Sequence, residues 1–156
     1  MQARLHIRRR GLALASAAIL AFSVDRAAAQ NVVRTAGLSF GSFLAGHGGS
    51  VQVSSNGRWS KSGGVILLGQ GSGAAAAQFI ITGSSGAGYT IGLPADHSVL
   101  LTSANGHSLA VNGFIASLNE LGPTLKELRI GASLNVGANQ AAGTYSGNYN
   151  ITVEYQ

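Results

Sequence analysis

The last eleven residues before the final glutamine alternate strictly between two kinds of side chain. One set is apolar or aromatic apart from one glycine, and the residues between them are small, polar or acidic; the first set is Tyr145, Gly147, Tyr149, Ile151, Val153 and Tyr155. A period of two is typical of a β-strand with one buried face. The alternation predicts a strand over residues 145–155, whose edge is available to pair with a partner. This favours assembly at a cell surface over catalysis.

The amino terminus has the layout of a secretory signal peptide. Arg4 and residues 8–10, all arginine, precede an apolar run over residues 11–24, and three alanines end at Ala29. Small residues at these spacings predict cleavage after Ala29. An uncleaved membrane anchor is the alternative, although the apolar run is short for a bilayer span.

Cleavage at that point divides the chain into two parts. Residues 1–29 form the predicted signal peptide, and residues 30–156 form one mature domain of 127 residues, which is long enough to bury a core. We expect the protein to be secreted through a periplasm to the cell surface. No integral membrane segment is expected after cleavage.

Most of the apparent basicity belongs to the predicted signal peptide. The full sequence has a formal net charge of +5, but residues 30–156 carry five cationic side chains and four acidic ones, a net charge of +1. Without a basic patch, nucleic-acid binding is not expected. So little surface charge favours self-association. The absence of cysteine excludes a disulfide framework, a thiol nucleophile and a cysteine-ligated metal.

Short apolar segments recur along the mature domain, separated by glycine, serine and asparagine. They predict strands over residues 38–43, 50–53, 65–68, 78–82, 89–93, 98–102 and 109–115. Asn56-Gly57 and Asn105-Gly106 are typical of tight hairpin turns. Many short strands with regular turns predict an all-β sandwich or barrel.

Three further segments complete this interpretation. Residues 128–136 alternate strictly and are expected to form a hairpin with the terminal strand. The leucines of residues 118–128 recur at roughly helical spacing, but Gly122-Pro123 interrupts them, so a polar loop with one helical turn is expected. The four alanines of residues 74–77 are interpreted as the start of a strand.

Residues 38–43, 63–65, 88–94 and 136–149 follow one recurring layout, and the last segment reads Val-Gly-Ala-Asn-Gln-Ala-Ala-Gly-Thr-Tyr-Ser-Gly-Asn-Tyr. In this layout the chain resembles the domain of unknown function 4402 family, over nearly all of the mature domain. Members of that family look like pilin-type subunits of the chaperone–usher class. The resemblance implies an immunoglobulin-like, pilin-like β-sandwich that polymerises by strand donation. It also implies a periplasmic chaperone and an outer-membrane usher as partners.

Strand donation assigns roles to two segments of the mature domain. A subunit that lacks one strand exposes a groove between its first and last strands, and an extended segment of a neighbour fills it. The receiving strand would present Tyr145, Tyr149, Ile151, Val153 and Tyr155; the donor would be residues 30–36, with Val32, Val33 and Ala36 as apolar contacts. The alternative is that residues 32–43 are the first strand of a complete sandwich.

Few residues of the mature domain have the chemistry of a catalytic or metal site. His47, His97 and His107 lie in glycine- or serine-rich loops, and Asp96-His97-Ser98 has the residue types of a hydrolytic triad. A triad is a spatial arrangement, and neighbours in sequence point in different directions, so we expect solvated loop histidines. The acidic residues are too dispersed for calcium. We expect no enzyme activity, no metal and no cofactor.

Two function classes remain beside a secreted enzyme, for which no catalytic group is visible. The favoured one is a structural subunit of a bacterial surface fibre or fimbria, a homopolymer with a role in cell adhesion. The alternative is a monomeric secreted binding module, for instance for carbohydrate. That module would use Trp59, with Arg58 and Lys61, as an exposed contact patch, whereas a buried Trp59 would exclude the patch.

Overall fold

The computed structural model describes residues 2–7, 31–69, 73–86 and 88–155. The apolar run and the cleavage site of the predicted signal peptide lie outside the described residues. No helix in the described part of the chain is long and apolar enough to cross a membrane.

Every regular element of the described residues is a β-strand, which confirms the all-β prediction. The strands are β1 (Gln2–Ile7), β2 (Asn31–Ala36), β3 (Ser39–Phe40), β4 (Ser42–Leu44), β5 (Gly49–Val53), β6 (Trp59–Gly63), β7 (Ile66–Leu68), β8 (Ala74–Ala75), β9 (Ala77–Thr82), β10 (Tyr89–Gly92), β11 (Val99–Ser103), β12 (Ser108–Glu120), β13 (Leu125–Val136), β14 (Tyr145–Ser146) and β15 (Asn148–Tyr155).

The larger sheet has eight strands and branches at β13. Its path runs β14-β11-β12-β13-β5-β6, with all pairs antiparallel. One edge of β13 pairs with β12, and the other is shared, because Leu125–Ile130 pair with β9 and Ala132–Val136 pair with β5. β2 then pairs with the far edge of β9. The long β12–β13 hairpin therefore pairs, directly or through one further strand, with every other strand of this sheet.

The smaller sheet has three strands in the order β1-β15-β10. β10 pairs with β15 in antiparallel orientation, and β1 pairs with it in parallel orientation. Two short ribbons, β3–β8 and β4–β7, complete the described pairing.

Side chains from both sheets share one hydrophobic core. Phe79, Leu128 and Ile130 of the larger sheet are buried together with Ile151 and Val153 of the smaller one. Burial in β13 and β15 alternates with a period of two, as expected for strands that present one face to a core. The core therefore fixes β15 against the larger sheet.

The predicted strands are present, except that residues 38–43 form two short strands, β3 and β4, divided at Gly41, and both predicted hairpin turns are confirmed. Gly57 and Gly106 each adopt a φ of +83°, and each donates its amide to the residue that begins the turn, Ser54 and Ser103 respectively. The segment of four alanines contains β8 and the start of β9.

Two expectations about pairing and loops are wrong. β13 does not form a hairpin with the terminal strand, because its edges are filled by β12, β5 and β9. The expected loop over residues 118–128 is instead the tip of the β12–β13 hairpin, with the turn at residues 121–124. Leu118 and Leu128 lie opposite each other across it. The spacing of the leucines therefore does not report a helical turn.

The predicted terminal strand over residues 145–155 is divided between the two sheets. Tyr145 and Ser146 pair with β11 in the larger sheet, whereas β15 belongs to the smaller one. Gly147 lies at the crossing, where an added Cβ would stand 2.3 Å from the carbonyl oxygen of Leu100 and 3.0 Å from Cδ2 of Leu101. The close approach of the two strands requires a residue without a side chain.

We expect Gly147→Ala to lower the free energy of unfolding by about 2 to 3 kcal/mol, because the methyl group would overlap a backbone carbonyl. Gly122→Ala is the matched control, since no atom lies within 4 Å of its added Cβ; we expect a change within about 0.5 kcal/mol. Equilibrium unfolding in urea measures both. Equal effects of the two substitutions would contradict the close approach at Gly147.

Candidate functional site

The candidate site is the edge of β15 that faces away from β10. β10 covers only Thr152–Tyr155, whereas β1 pairs with Asn148–Val153 in continuous register. Among the described strands, β1 is the sole pairing partner of residues 148–151 of β15. The strand that completes this edge therefore comes from within residues 1–29.

The two faces of β15 differ as the alternation predicts. Tyr149, Ile151 and Val153 are buried in the core. Asn148 and Asn150 are exposed, and Thr152 is half-buried. Residues 148–153 carry no charged side chain and no proline, which are the usual protections of an open strand edge.

A cavity of about 530 Å³, lined by both apolar and polar residues, lies where the first strands of the domain meet the segment before β14. Residues 38–45 form one wall and residues 140–145 the other, with Leu101, Leu109 and Leu134 between them. The cavity thus lies between segments from the two ends of the mature domain, but of the predicted receiving strand it includes only Tyr145.

Tyr145 organises one wall of this cavity. Its hydroxyl donates to the carbonyl of Ala141 at 2.6 Å and accepts from Nε2 of Gln140 at 2.9 Å. These bonds close the loop before β14 on itself. Tyr145 therefore acts as a wall of the cavity, whereas the other receiving residues with described surroundings, Tyr149, Ile151 and Val153, form the core face of β15.

The predicted donor residues lie in the larger sheet. Val32, Val33 and Ala36 belong to β2, which pairs with β9 and not with β15. Val32 and Ala36 are half-buried, and Val33 is 49% exposed. The structure thus separates the predicted donor from the predicted receiving strand within one chain, and the assignment of these interface residues stays a prediction.

Tyr149 is the buried polar residue of the receiving strand. Its ring packs on Phe114, with 5.4 Å between ring centroids, and its hydroxyl has no hydrogen-bond partner among the described residues. Burial raises the pKa of Tyr149 to about 12, and the positive charge of Arg34 opposes the rise.

Lys126 is a buried cation that sequence inspection did not single out. Its Nζ lies 2.5 Å from Oε1 of the exposed Glu120 and 5.7 Å from the ring centroid of Tyr89 in β10. The hydrogen bond and charge of Lys126 lower the pKa of Glu120. Glu120 and Lys126 are cross-strand partners, so recognition of the β12–β13 hairpin would have revealed the pair. It links the hairpin tip to the smaller sheet.

The histidines do not converge on a catalytic or metal site. His47, His97 and His107 are exposed. Around His97 the hydrogen bonds join the loop before β11 to β12, because Asp96 Oδ1 accepts from the amide of Gly113 and Asn112 Oδ1 accepts from the amide of His97, both at 2.7 Å. Within residues 31–69, 73–86 and 88–155 no three histidine, cysteine or acidic residues are grouped to hold a metal ion.

Trp59 is part of the fold. The side chain is half-buried against the core, and its indole N–H donates to the carbonyl of Phe40 at 3.0 Å. Arg58 and Lys61 are exposed beside it. The polar edge of the indole is therefore already used within the chain, which does not favour a carbohydrate platform at this residue.

We expect Tyr149→Phe to change the pH dependence of stability. A pKa raised from 10 to about 12 means that the folded state keeps the phenol proton after the unfolded state has lost it. The free energy of unfolding should therefore fall by roughly 2 to 3 kcal/mol between pH 10 and 12, and the variant should lack this part of the fall.

At neutral pH the variant should be as stable as the parent, within about 1 kcal/mol, because the lost hydroxyl has no partner in the described structure. Urea unfolding of both proteins across this pH range measures the difference. Parallel pH profiles would show that Tyr149 is not buried as described.

Comparison with known proteins places the chain in a family without an assigned function. A family profile described as a domain of unknown function (DUF4402) matches residues 31–155. The matched segment contains every described strand except β1. No curated protein and no solved structure matches the chain. Because the family profile covers most of the sequence, the chain belongs to the DUF4402 family.

Proposed function

We propose that this protein is an exported structural subunit of a surface fibre, in which an extended segment of a neighbouring subunit pairs with β15. The observation that carries the proposal is the edge of β15, because its partner β1 lies outside the family domain and inside the predicted signal peptide. Removal of residues 1–29 would leave the edge over Asn148–Val153 without that partner. Tyr149, Ile151 and Val153 of the same strand are buried in the core, so β15 would still be held by its side chains.

An open edge of this kind favours strand addition. Unpaired backbone N–H and C=O groups in a row are a template for another strand, and main-chain hydrogen bonds supply affinity whatever the partner's sequence. Because residues 148–153 have no charge or proline, nothing in their sequence opposes pairing. The low net charge of the mature domain also permits close packing of identical subunits.

The cavity beside Tyr145 could favour one partner strand, and one register of that strand, over others. It lies beside Tyr145, just before β15 begins, and its mixed lining includes leucine and phenylalanine side chains. We propose that a docked strand that extends past Asn148 places an apolar side chain in this cavity, which would favour one register over others. We propose on the same grounds an immunoglobulin-like sandwich, with the two sheets as its layers and the docked strand completing the smaller one.

The proposed donor is the segment 30–36 of a neighbour, with Val32, Val33 and Ala36 as its apolar contacts. In the isolated chain residues 31–36 of this segment form an edge strand with one described partner, β9. Donation therefore requires β2 to leave β9. A periplasmic chaperone that covers the edge of β15, and an outer-membrane usher that coordinates the exchange, would prevent premature pairing on the way to the cell surface.

The first test compares the chain 30–156 with the chain 37–156 by size-exclusion chromatography and electron microscopy. We expect denaturation-resistant oligomers or fibres from the longer chain and none from the shorter one, because the donor is missing. A folded monomer from both chains would contradict the proposal.

Cysteine cross-linking tests the pairing itself, because the natural sequence has no cysteine. One preparation of residues 30–156 carries Val33→Cys and a second carries Asn150→Cys. If Val32 and Ala36 of the docked donor face the core, Val33 lies on the exposed face, as Asn150 does, so a mixed disulfide between them joins two molecules. We expect a mixed dimer after gentle oxidation. Ser84→Cys, in an exposed turn, replaces Val33→Cys as the control and should give little mixed dimer. Equal yields from both mixtures would contradict donation by residues 30–36.

A further inference from the structure

We infer that β1 is an intramolecular cap, which occupies the docking edge of β15 in the uncleaved chain and makes that edge available only when residues 1–29 are removed. The consequence for assembly rests on the proposed function. The capping itself does not, because it concerns pairing within a single molecule.

The register of β1 is that of a complete cap. Six consecutive pairs join the two strands, from Gln2 opposite Asn148 to Ile7 opposite Val153, without a bulge. The pairing begins at the first residue of β15 and overlaps the part covered by β10 at residues 152 and 153. The two partners together cover every residue of β15.

β1 differs from the other strands in ways that suit a removable segment. It is the one parallel partner among the described strand pairs, and all others are antiparallel. It pairs at the edge of the smaller sheet, so its loss breaks no other pairing in the described structure. The family domain, residues 31–155, keeps all the remaining strands.

Tethering gives β1 an advantage over a neighbouring subunit. A segment of the same chain competes at an effective concentration on the order of millimolar for short linkers, whereas a separate subunit competes at its actual concentration. With equal intrinsic affinity, a cap in the same chain would exclude a partner present at micromolar concentration by roughly a thousandfold. Cleavage removes this advantage in one irreversible step.

Hydrogen exchange of the β15 amides tests the cap directly. The proteins are the refolded full chain, the full chain with Arg4→Pro and Leu5→Pro, the full chain with Arg4→Ala and Leu5→Ala, and the chain 30–156. Successive N–H groups of a strand point to opposite edges, so two adjacent prolines remove one N–H group that donates to β15. The alanine control keeps both N–H groups. Samples are dilute enough to be monomeric by size-exclusion chromatography.

We expect exchange over residues 148–151 to be about tenfold or more faster in the proline variant and in the chain 30–156 than in the full chain and the alanine control. Exchange in β13, a central strand of the larger sheet, should be the same in all four proteins and reports that each is folded. Equal exchange over residues 148–151 in the full chain and in monomeric 30–156 would overturn the inference.

The result separates the inference from the proposed function. If residues 148–151 exchange faster without β1 but the chain 30–156 never assembles, the cap stands and the fibre proposal fails. If the chain 30–156 assembles although β1 gives no protection, the fibre proposal stands and the cap fails.

Discussion

The structure depends on how the backbone of β15 satisfies its hydrogen bonds. This strand contributes Tyr149, Ile151 and Val153 to the core, so it cannot leave without exposing part of that core. Its backbone donors and acceptors on the side away from β10 must be satisfied by another strand or by water. Within one chain β1 satisfies them. The described core residues all lie within 31–155, whereas the edge of β15 over Asn148–Val153 is paired by a strand outside that range, and the proposed function and the proposed cap both follow from that difference.

The surrounding structure holds this edge in place. Gly147 lets the chain cross from the larger sheet to the smaller one at a contact too close for any side chain. Lys126 joins the tip of the β12–β13 hairpin to Tyr89 in β10. The loop closed by Tyr145 shapes the cavity at the start of the strand. These contacts position the segment that leads into β15 and its partner β10.

Sequence reasoning identified local features well because their signals are local. The period of two gave the buried face of β15, and the asparagine-glycine pairs located two hairpin turns. The pairing partner of a strand is harder to predict, because alternation shows which face of the strand is buried and not which strand lies beside it. The alternation of residues 128–136 therefore predicts the buried face correctly and the neighbouring strand wrongly. Gly147 fitted the alternation as an apolar position, so the sequence did not reveal that the chain changes sheets there.

The candidate site shows the same limit. Tyr149, Ile151 and Val153 could be chosen from the sequence, but the cavity is built from segments near both ends of the domain and from strands between them. Lys126 and Glu120 lie six residues apart and meet only because a hairpin turns between them. β1 could not be predicted at all, because its residues have the composition of a signal peptide, and its pairing spans nearly the whole chain.

The most direct measurement is the melting temperature of the chain 30–156 as a function of its own concentration. If the open edge of β15 is completed by a second molecule, binding stabilises the folded state, and the melting temperature rises over a roughly hundredfold increase in concentration. The full chain, capped by β1, should melt at a constant temperature. A constant melting temperature for the chain 30–156, with a monomer at every concentration, would contradict the account.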